Sequence, residues 1–417
     1  MNNSHTPVST LRVLTLNTWG LPLGLSKDKT QRLRNIGAEI AASDFDLIGL
    51  QEIWDPRDLK PILAGAKAAG LRYYHHYGSA GLGSGLVLFS RFPIVDVNFR
   101  RFRLRGSAET SYHGDYIAGK GIGLARIQIP GELVDVPSKL IDVYLLHTIA
   151  QYQPDSHDNY KAHRAAQHYE AARFITSHST ENPVIVMGDF NSRPDQLPNR
   201  LFKTLVGVTD CFSTLHPNDP CNTYDPINPY LPANDPPRCL DYIFVRDSQT
   251  NRLIPSLAEI VFRTTARPGL NGARTAFSDH YGMATELQMQ EAGGNHSATS
   301  PGASAVLEEL LATLKEGLLY ARSRRERHSR GWKQAASLVV PAVLIGKMHV
   351  KWLRNLLLPI IALAVMVGLV FAQVTIPQEI GDMRAISREA EIHLQALRKT
   401  EKSKDTKRQK SIEKNRQ

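Results

Sequence analysis

Cysteine is scarce in this sequence, and the cysteines that occur form no recognisable motif. The 417 residues contain three cysteines, Cys211, Cys221 and Cys239, with no CxxC pair among them. An odd number of cysteines, clustered within one loop-rich stretch with few histidines nearby, argues against a disulfide-built scaffold and a zinc site. We therefore expect free thiols in a reducing compartment.

The sequence also shows no pattern typical of a secretory signal peptide or of a P-loop. Residues 1–10, MNNSHTPVST, have no charged segment followed by an apolar run, so they do not read as a signal peptide. We expect them to be disordered and the domain after them to face the cytosol. The glycines around Lys120 in GKGIG lack the spacing of a Walker motif, which argues against ATP binding.

An excess of positive charge is absent from the first 320 residues, although the whole chain carries 50 Lys and Arg against 40 Asp and Glu. Residues 1–320 hold 30 basic and 32 acidic side chains. The basic excess lies in residues 321–333, with 6 basic against 1 acidic, and in residues 384–417, with 11 against 5. A nuclease needs a basic track along the phosphate backbone, so we expect no nucleic-acid partner.

Long apolar runs are confined to the C-terminal part of the chain. Asn355–Gln378 comprises 24 residues without a charge, which exceeds the roughly 20 apolar residues that cross a bilayer. A shorter uncharged run at 334–346 indicates a second span or a re-entrant segment. We therefore predict a transmembrane region over 334–378, with two passes at 334–350 and 354–377.

Two passes would leave the N-terminal domain and the basic tail, residues 379–417, on the cytosolic side, as the positive-inside rule favours. Lys347, Lys351 and Arg354 lie in the connection between the two runs and argue for a single pass instead. Either topology predicts a membrane protein. Basic flanks suit the anionic cytosolic leaflet of any organelle, including the endoplasmic reticulum and the mitochondrion.

The N-terminal part has the pattern of a layered α/β domain. Strand-length apolar runs alternate with helical patterns over residues 11–290. His163 and His168 lie on a helix whose polar pattern predicts that they face solvent. The predicted strands are 11–17, 45–52, 85–90, 121–129, 140–147, 183–191 and 240–245, and the predicted helices are 28–43 and 160–177.

A Gly/Ser linker without apolar periodicity, residues 291–304, follows this domain. Residues 305–333 then combine a helix that carries a leucine stripe with a basic juxtamembrane run. The leucines of the stripe lie on one face of that helix: Leu307, Leu310, Leu311, Leu314 and Leu318. Such a stripe either packs against protein or lies on a lipid surface, and both alternatives stay open at this point.

Polar side chains follow most of the predicted strands. Because strand ends in layered α/β domains face a common crevice, we expect these residues to form a site. Carboxylates and amides without thiolates are the ligands that Mg²⁺ prefers. Taken singly, each of these residues is also explained as a turn or cap residue. They are Asn17, Glu52, His147, Asp189, Asn191, Asp241, Asp279 and His280.

Six motifs occur in order along residues 11–288: TLNTWG, LIGLQEIW, LHT, VIVMGDFNSRP, CLDYIFV and SDHYG. Together they resemble the endonuclease/exonuclease/phosphatase superfamily. The resemblance implies an α/β fold, the DNase I-like αββα sandwich of two sheets, followed in this chain by the C-terminal transmembrane helices. It also implies cleavage of phosphodiester or phosphomonoester bonds with Mg²⁺.

Within that superfamily, HTIAQY at His147, the SYHGDYIAGKGIG insertion and the C-terminal apolar runs are similar to the neutral sphingomyelinases and the inositol phosphosphingolipid phospholipases C. This implies a membrane-anchored phospholipase C that hydrolyses sphingolipids to ceramide and a phosphorylated headgroup and is stimulated by anionic phospholipid. The alternatives are a membrane-tethered nuclease or phosphoinositide phosphatase of the same fold, and a non-catalytic membrane scaffold. The motifs do not distinguish choline from inositol phosphate headgroups.

The resemblance also implies roles for individual residues. Glu52 would be the principal Mg²⁺ ligand, supported by Asn17 and Asp279. His280 would be the general base that takes a proton from the attacking water, and Asp241 would orient its imidazole.

The remaining implied roles concern the substrate. Asp189 would help to position the nucleophilic water, Asn191 would hydrogen-bond a phosphoryl oxygen, and His147 would donate to the phosphate where negative charge develops. Lys120 would reach the substrate phosphate when Asp115 releases it, in a conformational switch coupled to anionic lipid. As a bare sequence feature, the stretch around Lys120 is a flexible Gly-rich turn.

Overall fold

The computed structural model describes residues 9–22, 24–130, 139–178, 181–264, 275–291, 302–347 and 351–414. These residues form two compact units. The first contains the described parts of 1–102, 117–152 and 167–303, and the second contains 103–116, 153–166 and the described parts of 304–417. In the predicted disordered N-terminus and the predicted linker, residues 1–8 and 292–301 lie outside the described residues.

The first unit is built on two six-stranded sheets. The strands are β1 Ser9–Asn17, β2 Leu47–Gln51, β3 Tyr73–His76, β4 Val87–Ser90, β5 Ile94–Arg101, β6 Gly121–Ile129, β7 Lys139–His147, β8 Val184–Asp189, β9 Thr209–Asp210, β10 Asp241–Arg246, β11 Asn251–Val261 and β12 Gly282–Glu291. The order in the first sheet is β11-β12-β1-β2-β4-β3, and in the second it is β5-β6-β7-β8-β10-β9. Each of the predicted strands overlaps one of these.

Helices cover the first unit and build most of the second. They are α1 Lys29–Ala41, α2 Leu59–Ala68, α3 Lys161–His178, α4 Leu197–Val206, α5 Cys211–Leu215, α6 Ala303–Ser337, α7 Val339–Lys347, α8 Lys351–Val370 and α9 Ile376–Lys414. Both predicted helices of the N-terminal part are observed, as α1 and α3.

Side chains alternate between the two faces of the central strands, and both faces are buried. In β1, Leu11 and Val13 join the core between the sheets, whereas Leu14 and Leu16 join a second core with residues of α1 and α2. This double burial explains why the central strands read as nearly continuous apolar runs.

The two sheets pack face to face, with helices on both outer surfaces. Gly49 of β2 lies so close to the second sheet that a Cβ atom there would come within 2.6 Å of Met187 Sδ and 2.7 Å of Leu145 Cδ1. Phe174 of α3 and Phe202 of α4 are buried in the core of the second sheet. The layers therefore run helix, sheet, sheet, helix, which confirms the predicted αββα sandwich.

The prediction that His163 and His168 face solvent is wrong. Both are buried, because α3 is covered on all sides between residues 162 and 172. The His168 ring packs against Phe190 and Phe202, with centroid distances of 5.6 and 6.3 Å. Burial, reinforced by the charge of Arg324, lowers the pKa of His163 to about 3.

The second unit contains an antiparallel pair of helical arms. One arm consists of α6 and α7. The other is a continuous helix made of α8, a π-helical turn at Phe371–Thr375, and α9. Contacts join the arms along their length: Trp332 with Gly368, Arg325 Nε with Ala372 O at 3.0 Å, Arg324 with Glu379, Gly317 with Met383, Glu308 with Arg398, and Ser304 Oγ with Glu401 Oε2 at 3.1 Å.

The leucine stripe of α6 is a packed face. Leu307, Leu310 and Leu314 are fully buried, and Leu311 and Leu318 are half-buried. Arg324, from the basic run that follows the stripe, is buried as well and pairs with Glu109 and Glu379.

One helix among the described residues, Lys351–Ser403, is long and apolar enough to cross a membrane. Its most apolar stretch is largely exposed. The other predicted span corresponds to the end of α6 and to α7, which has nine residues. At about 1.5 Å per residue, nine residues extend about 14 Å, short of the roughly 30 Å hydrocarbon core. Residues 348–350 lie outside the described residues.

Helices α1 and α2 cross at a glycine pair, and this contact generates a prediction about stability. A Cβ atom on Gly65 would lie 1.9 Å from the carbonyl oxygen of Gly37, a backbone atom that cannot move alone. We expect Gly65→Ala to lower the free energy of unfolding by about 1–3 kcal/mol, as overpacking usually does. Lys67→Ala, on an exposed position of α2, should change it by less than about 0.5 kcal/mol.

Chemical denaturation of the purified chains in detergent measures both values. Equal stability of Gly65→Ala and Lys67→Ala would contradict the close helix crossing.

Candidate active site

Six strands from the two sheets end or begin at one edge of the sandwich, and this brings the polar residues together. The parallel pair β1 and β2 aligns Asn17 with Gln51, the residue before Glu52. The parallel pair β7 and β8 aligns His147 with Asp189. Since β10 is antiparallel to β8, its first residue, Asp241, also lies opposite Asp189.

Asn17 links the two sheets through its side-chain amide. Its Nδ2 donates to Glu52 Oε1 at 3.1 Å and to Asp189 Oδ2 at 3.0 Å. Its Oδ1 accepts from the backbone N–H of Trp19 at 2.9 Å, which identifies the oxygen of the amide. Asn17 thus uses both ends of its amide within the protein, and it holds two carboxylates of different sheets close together.

Three residues of the site adopt left-handed backbone conformations that favour glycine. The φ angles are 50° at Trp19, 64° at Glu52 and 44° at Asn191. For residues other than glycine such angles are uncommon, and they cluster at functional sites. Gly20 permits one of these turns, because a Cβ atom there would come within 2.1 Å of the Glu52 carbonyl oxygen.

His280 and Asp241 form a buried pair. His280 Nδ1 lies 2.8 Å from Asp241 Oδ2, and the backbone N–H of Asp241 donates to Thr223 Oγ1 at 3.2 Å. Burial alone would lower the pKa of His280, but the charges of Asp241 and Asp189 raise it well above its usual range. The acids around His280 therefore favour its charged form.

His147 is buried between two acids that belong to different sheets. Its Nε2 lies 3.4 Å from Asp189 Oδ2 and 3.9 Å from Glu52 Oε1. Burial works to raise the pKa of Asp189, but the charges of His280 and His147 lower it overall. Asp189 is thus the carboxylate of the site that stays ionised most readily.

Asn191 and Lys120 meet at the backbone of the LHT motif. Asn191 donates from its N–H to Asp189 Oδ1 at 2.9 Å and from Nδ2 to Asp189 Oδ2 at 3.0 Å and to Thr148 O at 3.1 Å. Lys120 is buried, and its Nζ donates to the same carbonyl oxygen at 3.0 Å. Asp115 is buried in the second unit, so its predicted exchange with Lys120 stays a prediction.

The site has the donor set and the unsatisfied oxygens that fit a divalent cation. Ligand atoms of Asp189, Asp241 and His280 all lie within 4.8 Å of one another. Within the described part of the chain, Glu52 Oε2 and Asp241 Oδ1 are buried without a hydrogen-bond partner. Burial raises the pKa of Asp279 to about 6, with a contribution from the charge of Glu52. Carboxylates short of partners are suited to a hard cation such as Mg²⁺.

The predicted ligand set only partly matches this geometry. Glu52 offers a free buried oxygen, and Asp279 lies close enough to feel its charge. Asn17, in contrast, has its amide oxygen engaged by Trp19 and turns its N–H groups toward the acids. The role of Asn17 as a ligand stays a prediction, and the observed role is to hold Glu52.

Sequence reasoning did not single out several residues that hold the site. Thr148 lies inside the LHT motif, where only His147 carried an evident chemical function. Thr223 and Tyr224 come from a Pro- and Asn-rich stretch without a readable pattern. Thr223 fixes the start of β10, and the Tyr224 ring packs 5.3 Å from that of His280.

Comparisons with known proteins agree with this geometry. Residues 14–280 match the family described as the Endonuclease/Exonuclease/phosphatase family. The chain is 30% identical over 318 residues to sphingomyelin phosphodiesterase 2 of Rattus norvegicus, in an alignment that covers 73% of this chain and 71% of that protein. It is 30% identical over 209 residues to inositol phosphosphingolipids phospholipase C of Schizosaccharomyces pombe, which covers 50% of this chain and 47% of that protein.

The chain spans about half to three quarters of the length of the curated relatives that it matches, from 46% to 76%. Among solved structures, a crystal structure of beta toxin from Staphylococcus aureus with bound magnesium ions aligns with 66% of this chain and 99% of that chain. The TM-score is 0.51 and the sequence identity is 20%. A likeness at this identity shows the common fold alone.

The His280–Asp241 pair generates a prediction about titration. Asp241→Asn removes the nearest negative charge, so the pKa of His280 in the metal-free protein should fall by about 1 to 3. NMR titration of ring-labelled histidine in the presence of a chelator measures this, with His280→Gln to assign the signal. Asp142→Asn, which changes a buried carboxylate that pairs with Arg126, should leave the His280 titration unchanged. An unaltered His280 pKa in Asp241→Asn would show that Asp241 is uncharged in the folded protein.

Proposed function

The chain belongs to the Endonuclease/Exonuclease/phosphatase family, in the branch of the neutral sphingomyelinases and inositol phosphosphingolipid phospholipases C, and on that premise we propose that it is a phosphodiester hydrolase of sphingolipids. It would act as a phospholipase C that releases ceramide and a phosphorylated headgroup. The observation that carries the proposal is the buried pair of His280 and Asp241, with one oxygen of Asp241 and one of Glu52 that have no hydrogen-bond partner among the described residues.

In this proposal the base is His280. Because Nδ1 is engaged by Asp241, the proton of the attacking water goes to Nε2, as in other carboxylate-oriented histidines. The water oxygen bonds to phosphorus, and the bond from phosphorus to the ceramide oxygen breaks with its electron pair on that oxygen. The ceramide oxygen then takes up a proton, which balances the one that Nε2 accepted. The lowered pKa of Asp189, caused by the charges of His280 and His147, suits this carboxylate to accept a hydrogen bond from that water.

Glu52, Asp189, Asp241 and Asp279 are the acids that could hold Mg²⁺, with Asn17 fixing Glu52. When bound, Mg²⁺ would neutralise the phosphodiester oxygens and offset the acidic charges that raise the pKa of His280. A relative of the same fold has been crystallised with bound magnesium ions, which supports the choice of this cation.

Three side chains with donor groups lie near Asp189 and would contact the substrate phosphate. His147 lies between Asp189 and Glu52, and Lys120 and Asn191 share the carbonyl oxygen of Thr148. A phosphodiester gains negative charge in the transition state, and fixed donors in a buried site stabilise that charge. In the proposed switch that involves Asp115, Lys120 would leave the carbonyl oxygen of Thr148 and bind the substrate phosphate.

A nuclease of the same fold is the competing function, and the charge distribution disfavours it. The 30 basic and 32 acidic residues of the first 320 leave no net positive field to attract a polynucleotide. The relatives named above include both a sphingomyelin phosphodiesterase and an inositol phosphosphingolipids phospholipase C, so the headgroup is an outcome of the test. We propose Mg²⁺ dependence and stimulation by anionic phospholipid as parts of the same function.

The helical arms support a membrane anchor of two crossing segments. The arms pair with opposite directions, so Trp332 meets Gly368 and Arg324 meets Glu379. In the proposed anchor this pairing would keep the start of α6 and the whole of α9 on one side of the bilayer, which a single crossing by α8 would not allow. The uncharged run at 334–346 is short, and the flanking lysine side chains can extend toward the interfaces.

An activity panel tests the proposed reaction. Purified full-length protein with Mg²⁺ should hydrolyse sphingomyelin or inositol phosphosphingolipid, faster with anionic phospholipid present and not with EDTA. His280→Ala should lower kcat by at least about 100-fold, the scale of general-base catalysis. His157→Ala, at an exposed position, should retain parental activity.

Phosphatidylcholine, a phosphoinositide and abasic DNA complete the panel. Cleavage of DNA or the phosphoinositide with no cleavage of any sphingolipid would overturn the assignment, and parental turnover by His280→Ala would remove this residue from the mechanism.

Accessibility of introduced cysteines tests the two-segment anchor. The native Cys211, Cys221 and Cys239 are buried, so labelling should come from the introduced cysteine alone. Lys351→Cys and Arg388→Cys are each treated with a membrane-impermeant maleimide in sealed vesicles. With two crossings, Cys at 388 should react on the side of the N-terminal domain and Cys at 351 on the opposite side. Reaction at 388 on the side opposite the N-terminal domain would indicate a single crossing.

A further inference from the structure

Arg32, in the first turn of α1, is buried and has its guanidinium surrounded by backbone carbonyl oxygens. Its Nε donates to Lys27 O at 2.8 Å, and its Nη2 donates to Trp19 O at 2.7 Å. Its Nη1 donates to Thr18 O at 2.7 Å and to Phe277 O at 3.3 Å. Only 1% of Arg32 is exposed. The carbonyl oxygens therefore accept the hydrogen bonds that water would accept from an exposed guanidinium.

Two aromatic rings pack against the same guanidinium. Its central carbon lies 4.7 Å from the ring centroid of Trp19 and 5.6 Å from that of Tyr230. The Tyr230 hydroxyl donates to Asp28 Oδ2 at 3.1 Å. The two rings also contact each other, with centroids 5.4 Å apart. A cation over ring faces is stabilised by their quadrupoles, so both rings help to hold the guanidinium in place.

The carbonyl oxygens that Arg32 binds lie on two segments that carry the candidate site. Thr18 and Trp19 directly follow Asn17, the residue that holds Glu52 and Asp189. Phe277 precedes Asp279 by two positions and His280 by three. One guanidinium thus connects the loop after β1 with the turn before β12, which are far apart in sequence.

Asn228 holds the same turn through its next two carbonyl groups. Its Nδ2 donates to Ser278 O at 2.8 Å and to Asp279 O at 3.2 Å, and Asn228 is 1% exposed. The carbonyl oxygens of residues 277, 278 and 279 are therefore all bound by two buried side chains, Arg32 and Asn228. The turn that presents Asp279 and His280 has little freedom to move.

We propose that Arg32 is a positioning residue of the active site, which sets the distance between the Asn17 loop and the turn that carries Asp279 and His280. The proposal rests on the proposed function, and it adds a residue that lies in none of the motifs. Lysine cannot substitute, because one ammonium group cannot reach four separate carbonyl groups in the fixed directions of a guanidinium. A purely structural arginine would instead stabilise the fold without affecting the site.

Arg91 provides a matched control at the opposite end of β2. Its Nη1 donates to Ala69 O at 3.1 Å and its Nη2 to Phe45 O at 3.0 Å, while its Nε pairs with Asp46 at 2.8 Å. Like Arg32, it ties separate segments together through carbonyl groups, but it lies away from the strand ends that carry the site. Arg91→Lys therefore shows what the loss of hydrogen bonds to carbonyl groups does to the protein when the candidate active site is left unchanged.

The test compares Arg32→Lys with Arg91→Lys in the full-length protein. Three quantities are measured: the midpoint of thermal unfolding, the separate kcat and KM values on sphingolipid in micelles, and the dissociation constant of Mg²⁺ from calorimetry. Arg32→Lys should lower kcat by about 10- to 100-fold with little change in KM and should weaken Mg²⁺ binding about 10-fold, the scale of losses when residues that orient metal ligands are changed. Arg91→Lys should match the parent in kcat and in Mg²⁺ binding.

Parental kcat and Mg²⁺ binding in Arg32→Lys would overturn the proposal, whatever its thermal midpoint. If Arg32→Lys does not fold, Asn228→Ala serves as the second variant, since it frees the same turn from the other side. A lower kcat and weaker Mg²⁺ binding in Asn228→Ala would support positioning of the turn, and parental values of both quantities would refute it. If the parent cleaves no sphingolipid, the proposed function fails, and the comparison of Mg²⁺ dissociation constants still decides the role of Arg32.

Discussion

One buried amide, that of Asn17, holds the two sheets in register at the edge where the candidate site lies. Its two N–H groups bind a carboxylate from each sheet, and its oxygen binds the backbone of Trp19. That last bond depends on the left-handed turn at Trp19, and Gly20 gives the chain room to pass Glu52. The geometry of the acids therefore depends on a short local sequence, Asn-Thr-Trp-Gly, rather than on the sheets alone.

Electrostatic repulsion is the main physical difficulty of this arrangement. Glu52, Asp189, Asp241 and Asp279 gather at one largely buried edge, where charges interact more strongly than in water. Two histidines and the donors of Asn17 and Asn191 offset part of that repulsion. Oxygens of Glu52 and Asp241 still lack partners among the described residues. Buried carboxylate oxygens without partners are suited to a cation.

Much of the fold and of the candidate site follows from local sequence. Apolar runs locate the central strands, because both faces of those strands are buried, and the residues after each run share one edge. His163 and His168 were misjudged because the polarity of α3 does not reveal that protein covers all sides of it. Arg32 and Asn228 could not be found from sequence, since their value comes from carbonyl groups distant in the chain.

The long C-terminal helix changes its winding where its surroundings change. The π-helical turn at Phe371–Thr375 lies between the exposed apolar part of α8 and the part of α9 that buries Ile376, Ile380 and Met383. A π turn accommodates one extra residue, and one residue corresponds to about 100° of rotation in an α-helix. The turn therefore rotates one half of the helix relative to the other, so that α8 leaves an apolar side exposed while α9 directs a different side toward the residues that bury it.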